Sequence, residues 1–146
     1  MKSKFIDAYM DVAERFARLS HAKRLQVGAI IVKDDRIISI GYNGMPTGWD
    51  NCCEHTVQHH ELGTCTTVSK AEVLHAETNA IAKLAKSGES GLGATMFVTH
   101  APCIDCAKLV YQSGITTVYY KNEYRSTQGL EFLNKSGVEV IHHHKL

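Results

Sequence analysis

Residues 94–121 read ATMFVTHAPCIDCAKLVYQSGITTVYYK, and the alternation inside this stretch decides the fold. Ala94–Thr99 is an apolar, β-branched run that suits a strand. Pro102 suits the first turn of a helix, where its fixed φ fits and its missing N–H costs no helical bond. That helix runs to about Ser113, and Gly114 marks its stop. Thr116–Lys121 reads as a second strand. A strand, a helix and a strand in so short a span form a crossover unit with parallel strands.

Outward from this unit the pattern continues. Residues 128–136 predict a helix and Val138–His142 a last strand, which finishes near His142-His143-His144. On the other side, residues 71–86 predict a helix with Ala76, Ala80, Ile81, Leu84 and Ala85 on one face. Ser69-Lys70-Ala71-Glu72 fits a capping box for its start, and Thr67 fits a start equally well. Val27–Lys33 and Arg36–Tyr42 are β-branched runs joined by Asp34-Asp35, which reads as an antiparallel hairpin. Phe5, Tyr9, Val12, Ala13, Phe16 and Ala17 recur at helical spacing and predict an amphipathic helix over about 4–19. Residues 44–70 show little apolar periodicity and read as a long irregular loop, functional by its length. The expected class is α/β, a three-layer α/β/α arrangement with a mixed five-stranded sheet covered by helices on both faces.

The chain has 146 residues, which suits one domain over residues 1–146. Hydrophobic residues make up 44% of it, close to the globular norm. Sixteen Lys and Arg stand against 15 Asp and Glu, a formal net charge of +1. A protein that grips a long phosphate backbone needs a basic excess, so this balance disfavours a nucleic-acid polymer and permits a small anionic ligand. Residues 1–20 mix charge throughout, and no run is long enough to span a bilayer, so no membrane partner is expected. The five cysteines are odd in number and unevenly spaced, and they read as metal ligands before they read as a disulfide framework. A cytoplasmic location is the default expectation.

Two short segments carry the chemistry: His75-Ala76-Glu77 and Pro102-Cys103-Ile104-Asp105-Cys106. Cys103 and Cys106 are one helical turn apart, so both sulfurs can face one point. Each segment lies near a predicted helix start, where free N–H groups and the helix dipole favour thiolate. One imidazole and two thiolates suit zinc, and three protein ligands leave a fourth position for water. Glu77 follows the ligand His75 by two residues and can carry protons to and from that water without ligating the metal. Taken alone, Cys-x-x-Cys also fits a redox pair or half of a structural zinc site. The ordered combination of both segments favours a catalytic zinc.

His75-Ala76-Glu77 together with Pro102–Cys106 resembles the signature of the zinc cytidine/deoxycytidylate deaminase superfamily. Gln26–Val32, Gly41-Tyr42-Asn43-Gly44-Met45-Pro46 and His75–Ile81 look similar to the deoxycytidylate deaminases within it. The resemblance runs from Tyr9 to about Val140 and implies a cytidine-deaminase-like fold. It implies hydrolysis of dCMP to dUMP with release of ammonia, a step toward thymidine nucleotides. Metal-activated water would attack C4 of the cytosine ring, and Glu77 would pass a proton to N3 and then to the departing amino group. The backbone N–H groups of Ala76 and Cys103 would hold the base and the developing charge.

The resemblance also places Asn43 at the sugar 3′-hydroxyl, to which an amide can both donate and accept. Tyr124 matches an aromatic near the substrate, with a surface tyrosine as the plainer reading. Arg24 and Arg125 are candidates for the 5′-phosphate, and ordinary solvated charge is the alternative for each. Asn79, on the His75 face of the helix, is a candidate to touch substrate or to brace a loop. Cys52, Cys53, His55 and Cys65 crowd one segment with His59 and His60, and some relatives carry a second, structural zinc there. Buried or exposed single residues are the other reading. Regulation by dCTP and dTTP with Mg2+, and assembly of a homohexamer, are further implications of the resemblance.

Three rival functions follow. One is deamination of another cytosine nucleoside or nucleotide. A second is a tRNA adenosine deaminase, which the near-neutral charge and the Gly41–Pro46 segment disfavour. The third is a non-catalytic, zinc-stabilised nucleotide-binding protein, which would have no need of Glu77.

Overall fold

The buried strand β1 (Gly28–Lys33) is the axis of the molecule. Ala29, Ile30, Ile31 and Val32 have almost no exposure, as expected of a strand covered on both faces. It pairs antiparallel with β2 (Arg36–Tyr42) through a tight turn in which Asp34 and Asp35 have φ of 51° and 57°. Two consecutive positive φ values match the type I′ turn that suits strand twist.

The other side of β1 pairs antiparallel with β5 (Thr95–His100). From β5 the sheet continues in parallel through β6 (Thr117–Asn122) to β7 (Glu139–His142). The order is β2-β1-β5-β6-β7, a mixed five-stranded sheet as expected. The computed structural model describes residues 1–144.

Helix α1 (Ser3–Ala17) lies on one face, where Met10 and Ala13 meet Ile30, Val32 and Phe97. Its buried stripe is centred on Met10 and Ala13, and Phe5, expected on that stripe, is 47% exposed. The opposite face carries α2 (Ala76–Ala85), α3 (Ile104–Gln112) and α4 (Gln128–Lys135). Ala76, Ala80, Leu84, Ala107, Val110 and Leu133 pack there against Ala29, Ile31, Met96, Val98 and Val118.

Two further expectations are corrected. The helix expected over 71–86 begins only at Ala76, because Leu74 is held in an antiparallel bridge with Gly44 just before it. The capping box at Ser69–Glu72 therefore caps nothing. Residues 44–70 are also not wholly irregular, since β3 (Glu54–His59) and β4 (Thr64–Ser69) form a separate two-stranded hairpin. Its residues are mostly exposed on both faces, so the apolar alternation that marks a half-buried strand never arises.

Candidate metal centre

Strands β5 and β6 end at the same edge of the sheet, where open α/β sheets bind ligands. The β1 register continues this edge: Ala29 faces Val98, and the Gly28 N–H donates to the Thr99 hydroxyl at 3.1 Å. The chain that follows β5 turns directly into α3, and the start of α2 lies beside the end of β2.

His75 is the N-cap of α2, with φ −79° and ψ 154°. Cys103 is the N-cap of α3, with φ −68° and ψ 168°. Neither side chain makes a capping bond, so both are free to serve elsewhere. Pro102 stands just before that cap, two positions ahead of the first helical residue, Ile104, and so outside the first turn expected of it. Cys106 lies in the first turn of α3 and Glu77 in the first turn of α2.

Two glycines let the backbone come close enough for this. A Cβ on Gly41 of β2 would lie 2.2 Å from the Ala76 carbonyl oxygen. A Cβ on Gly129 of α4 would lie 2.0 Å from the Pro102 carbonyl oxygen. Sequence reasoning missed both as site-forming residues; a glycine inside a strand or helix pattern was their available signal.

The result is one cluster. The His75, Cys103 and Cys106 ligand atoms lie within 4.8 Å of one another, and among the described residues no other such group of three is found. His75 Nδ1 is 3.2 Å from Cys106 Sγ and 3.7 Å from Cys103 Sγ. Zn–S of about 2.3 Å and Zn–N of about 2.1 Å give a tetrahedral N···S edge of about 3.6 Å, which these distances bracket. The donor set and its spacing both fit zinc.

Exposure grades inward, with His75 exposed, Cys103 half-buried and Cys106 buried. Glu77 is 4% exposed and stays outside the mutually close set. Burial raises its pKa, against smaller opposing effects of its own backbone N–H and the His75 charge. The hydrogen bond with Cys106 lowers Cys103 to about 4, aided by His75 and opposed by burial. Cys106 is pushed the other way, first by its bond to Cys103 and then by burial. The bond to Cys103 also raises His75. Two thiols, one imidazole and a buried carboxyl thus gather at the starts of α2 and α3.

The model of the cytidine and deoxycytidylate deaminase zinc-binding region matches residues 3–122. The chain belongs to this deaminase family. A crystal structure of the dCMP deaminase from cyanophage S-TIM5, in complex with dCMP and dUMP, is similar at 46% identity and a TM-score of 0.88. The likeness covers 98% of this chain and 99% of that one. The ComE operon protein 2 of Bacillus subtilis is 38% identical over 90% of this chain and 67% of its own length. The deoxycytidylate deaminase of Enterobacteria phage T4 is 36% identical over 80% of this chain and 78% of its own length.

Around the deaminase centre the remaining candidates take distinct places. Asn43 Oδ1 accepts from the Val27 N–H at 2.9 Å, and its Nδ2 donates to the Leu25 carbonyl at 2.8 Å. One N–H and one lone pair of the amide stay available to a ligand. Asn79 donates to the Tyr42 carbonyl at 2.8 Å, so it braces the end of β2. Tyr124 is half-buried against the main core just after β6, and the Arg125 guanidinium lies 5.7 Å from its ring centre.

The second metal group does not assemble. The Cys52 and Cys53 thiols are turned to the carbonyls of Glu54 and Asn51. Cys65 sits opposite Gln58, whereas the Cys53 carbonyl accepts from Lys70 N–H, five residues along the chain from Cys65. At about 3.4 Å per residue that separates Cys65 from the Cys52–Cys53 pair by about 17 Å. His55, opposite Val68, is three residues from Cys65's level and on the other face.

Proposed function

We propose that this protein is a zinc-dependent deoxycytidylate deaminase that converts dCMP and water to dUMP and ammonia. The observation that carries the reading is the conjunction at one sheet edge of His75, Cys103, Cys106 and buried Glu77. It occurs in a chain that matches the dCMP- and dUMP-bound relative along almost its whole length. Residues 1–146 act as one deaminase domain in this reading.

His75 Nδ1 and the two sulfurs would hold the zinc ion, which when bound supplies a Lewis acid that brings water toward deprotonation near neutral pH. Glu77 carries the protons that the reaction must move. Its burial raises the pKa, which suits a carboxyl that accepts one water proton and gives it to ring N3, then accepts the second and gives it to the departing amino nitrogen. The N–H groups of Ala76 and Cys103, at the two helix starts, would orient the base without reorganising. Asn43 offers its remaining donor and acceptor to the 3′-hydroxyl. Tyr124 walls the substrate, and Arg24 or Arg125 supplies the guanidinium for the 5′-phosphate.

No helix among the described residues is long and apolar enough to cross a membrane. Homo-oligomeric assembly belongs to the same reading through the family.

The test is ammonia release by zinc-loaded protein from dCMP, deoxycytidine, CMP, dCTP and an adenosine-bearing RNA hairpin. Turnover of dCMP well above the others is expected. Activity confined to deoxycytidine or RNA would keep the zinc chemistry and overturn the substrate.

A further inference from the structure

We propose that Glu54, at the base of the β3–β4 hairpin, is a positioning residue for the substrate's 5′-phosphate and acts through Arg24. The proposal rests on the dCMP deaminase reading above. Glu54 is a carboxylate with only 8% exposure, and among the described residues no cationic side chain pairs with it. Its oxygens accept from main-chain N–H groups instead: Lys23 at 3.0 and 3.3 Å, and Arg24 at 3.4 Å. A carboxylate this far from water fixes the chain it grips, because releasing an amide would leave a buried oxygen unsatisfied.

The hairpin holds residue 24 at a second point. The register partner of Glu54 is Ser69, and the Arg24 guanidinium donates to the Ser69 hydroxyl at 3.5 Å. The rest of the loop is tied as well. Ser20 accepts from the Ala22 N–H and from the Gln26 amide, and Asn43 takes the Leu25 carbonyl and the Val27 N–H. From Asn43 the connection to the metal centre is short, since Gly44 bridges Leu74, the neighbour of His75.

What this loop presents is an exposed Arg24 that joins no ion pair among the described residues. Glu54 binds the amides and leaves the guanidinium alone, so it orders the arginine without neutralising it. A phosphate monoester is the anion that such a fork takes in bidentate fashion. The hairpin thereby acquires a role: a two-stranded ribbon is marginal by itself, and its base orders a cation on the loop that Asn43 and Gly44 tie to the metal centre.

The test compares dCMP with deoxycytidine, which differs only in lacking the phosphate, on zinc-loaded wild type, Glu54→Ala, Glu54→Gln and Arg24→Ala. Glu54→Ala is expected to raise KM for dCMP about tenfold. Its kcat, and its kcat/KM for deoxycytidine, should stay within about twofold of wild type. Arg24→Ala should raise KM for dCMP similarly, and Glu54→Gln, which keeps one acceptor oxygen, should fall between. The double variant should be no worse than Arg24→Ala, because Glu54 works through that arginine. Arg24 is exposed, so its variant reports even where Glu54→Ala fails to fold. An unchanged KM for dCMP in Glu54→Gln or in Arg24→Ala overturns the proposal. So does an equal loss on both substrates. Wild-type protein that releases no ammonia from dCMP overturns the functional reading itself, and that arm is read before any variant.

Discussion

The starts of α2 and α3, and the β3–β4 hairpin, are both supplied with histidine and cysteine. At the helix starts His75, Cys103 and Cys106 converge to within 4.8 Å. Along the hairpin Cys52, Cys53, His55 and Cys65 are strung out on a ribbon, with Cys52 and Cys65 exposed. The difference is backbone convergence. Two helix N-termini are pressed onto one sheet edge by Gly41 and Gly129, whereas a two-stranded ribbon has no third element to fold its ligands inward. Ligand-bearing residues make a candidate centre where packed elements aim them at one point.

The sharpest way to break this contrast is to remove one ligand from each region. Cys106→Ser should lose bound zinc and essentially all deamination, whereas Cys52→Ser and Cys65→Ser should keep both; metal analysis with an ammonia assay reads each. Zinc loss in the hairpin variants would show that the ribbon gathers its thiols after all. Within the centre, Glu77→Gln should retain zinc and dCMP binding while kcat falls about 10⁴-fold, the upper range for a lost proton carrier. Near-normal turnover would remove Glu77 from the reaction.

A smaller effect tests the glycine wedge. Gly129→Ala places a methyl group 2.0 Å from the Pro102 carbonyl oxygen, so α4 or the Cys103 segment must shift. A loss of about 2 kcal/mol is expected, read as a Tm lower by roughly 5 °C, together with weaker zinc retention against a chelator. Gly63→Ala at the hairpin tip has open space around it and isolates the cost of its positive φ of 62° from any packing cost. It should leave zinc retention unchanged.

The smallest effect concerns pH. His100 ends β5 at the site's edge, and burial holds its pKa below the ordinary 6.5. A depressed histidine pKa means that protonation opposes folding. Its contribution is present above 6.5 and lost as pH falls through the lower, folded-state value. Between about pH 7 and about pH 5, Tm should therefore fall less in His100→Gln than in wild type. Parallel slopes would show that His100 is not linked to folding.

Much of this is legible in the sequence. The apolar runs of β1, β5 and β6 announce themselves because both faces of those strands are buried, and the Asp34-Asp35 turn because positive φ restricts residue choice. The hairpin at Glu54–Ser69 was illegible because its exposed strands carry no apolar period. The start of α2 is hidden for a related reason. Local capping rules favour Ser69 or Thr67, but the bridge between Gly44 and Leu74 is a contact across thirty positions in the chain.

By itself the sequence determined the chemistry: an imidazole, a thiolate pair one helical turn apart and a carboxyl two residues from the imidazole, on an alternating α/β frame. Those are short-range relations, set by helix and strand periods. Only the tertiary structure decided that His75 and the cysteines meet, that the hairpin thiols do not, and that Glu54 grips the Arg24 loop. These depend on how closely two backbones approach, and that distance is a property of packed elements and of no single segment.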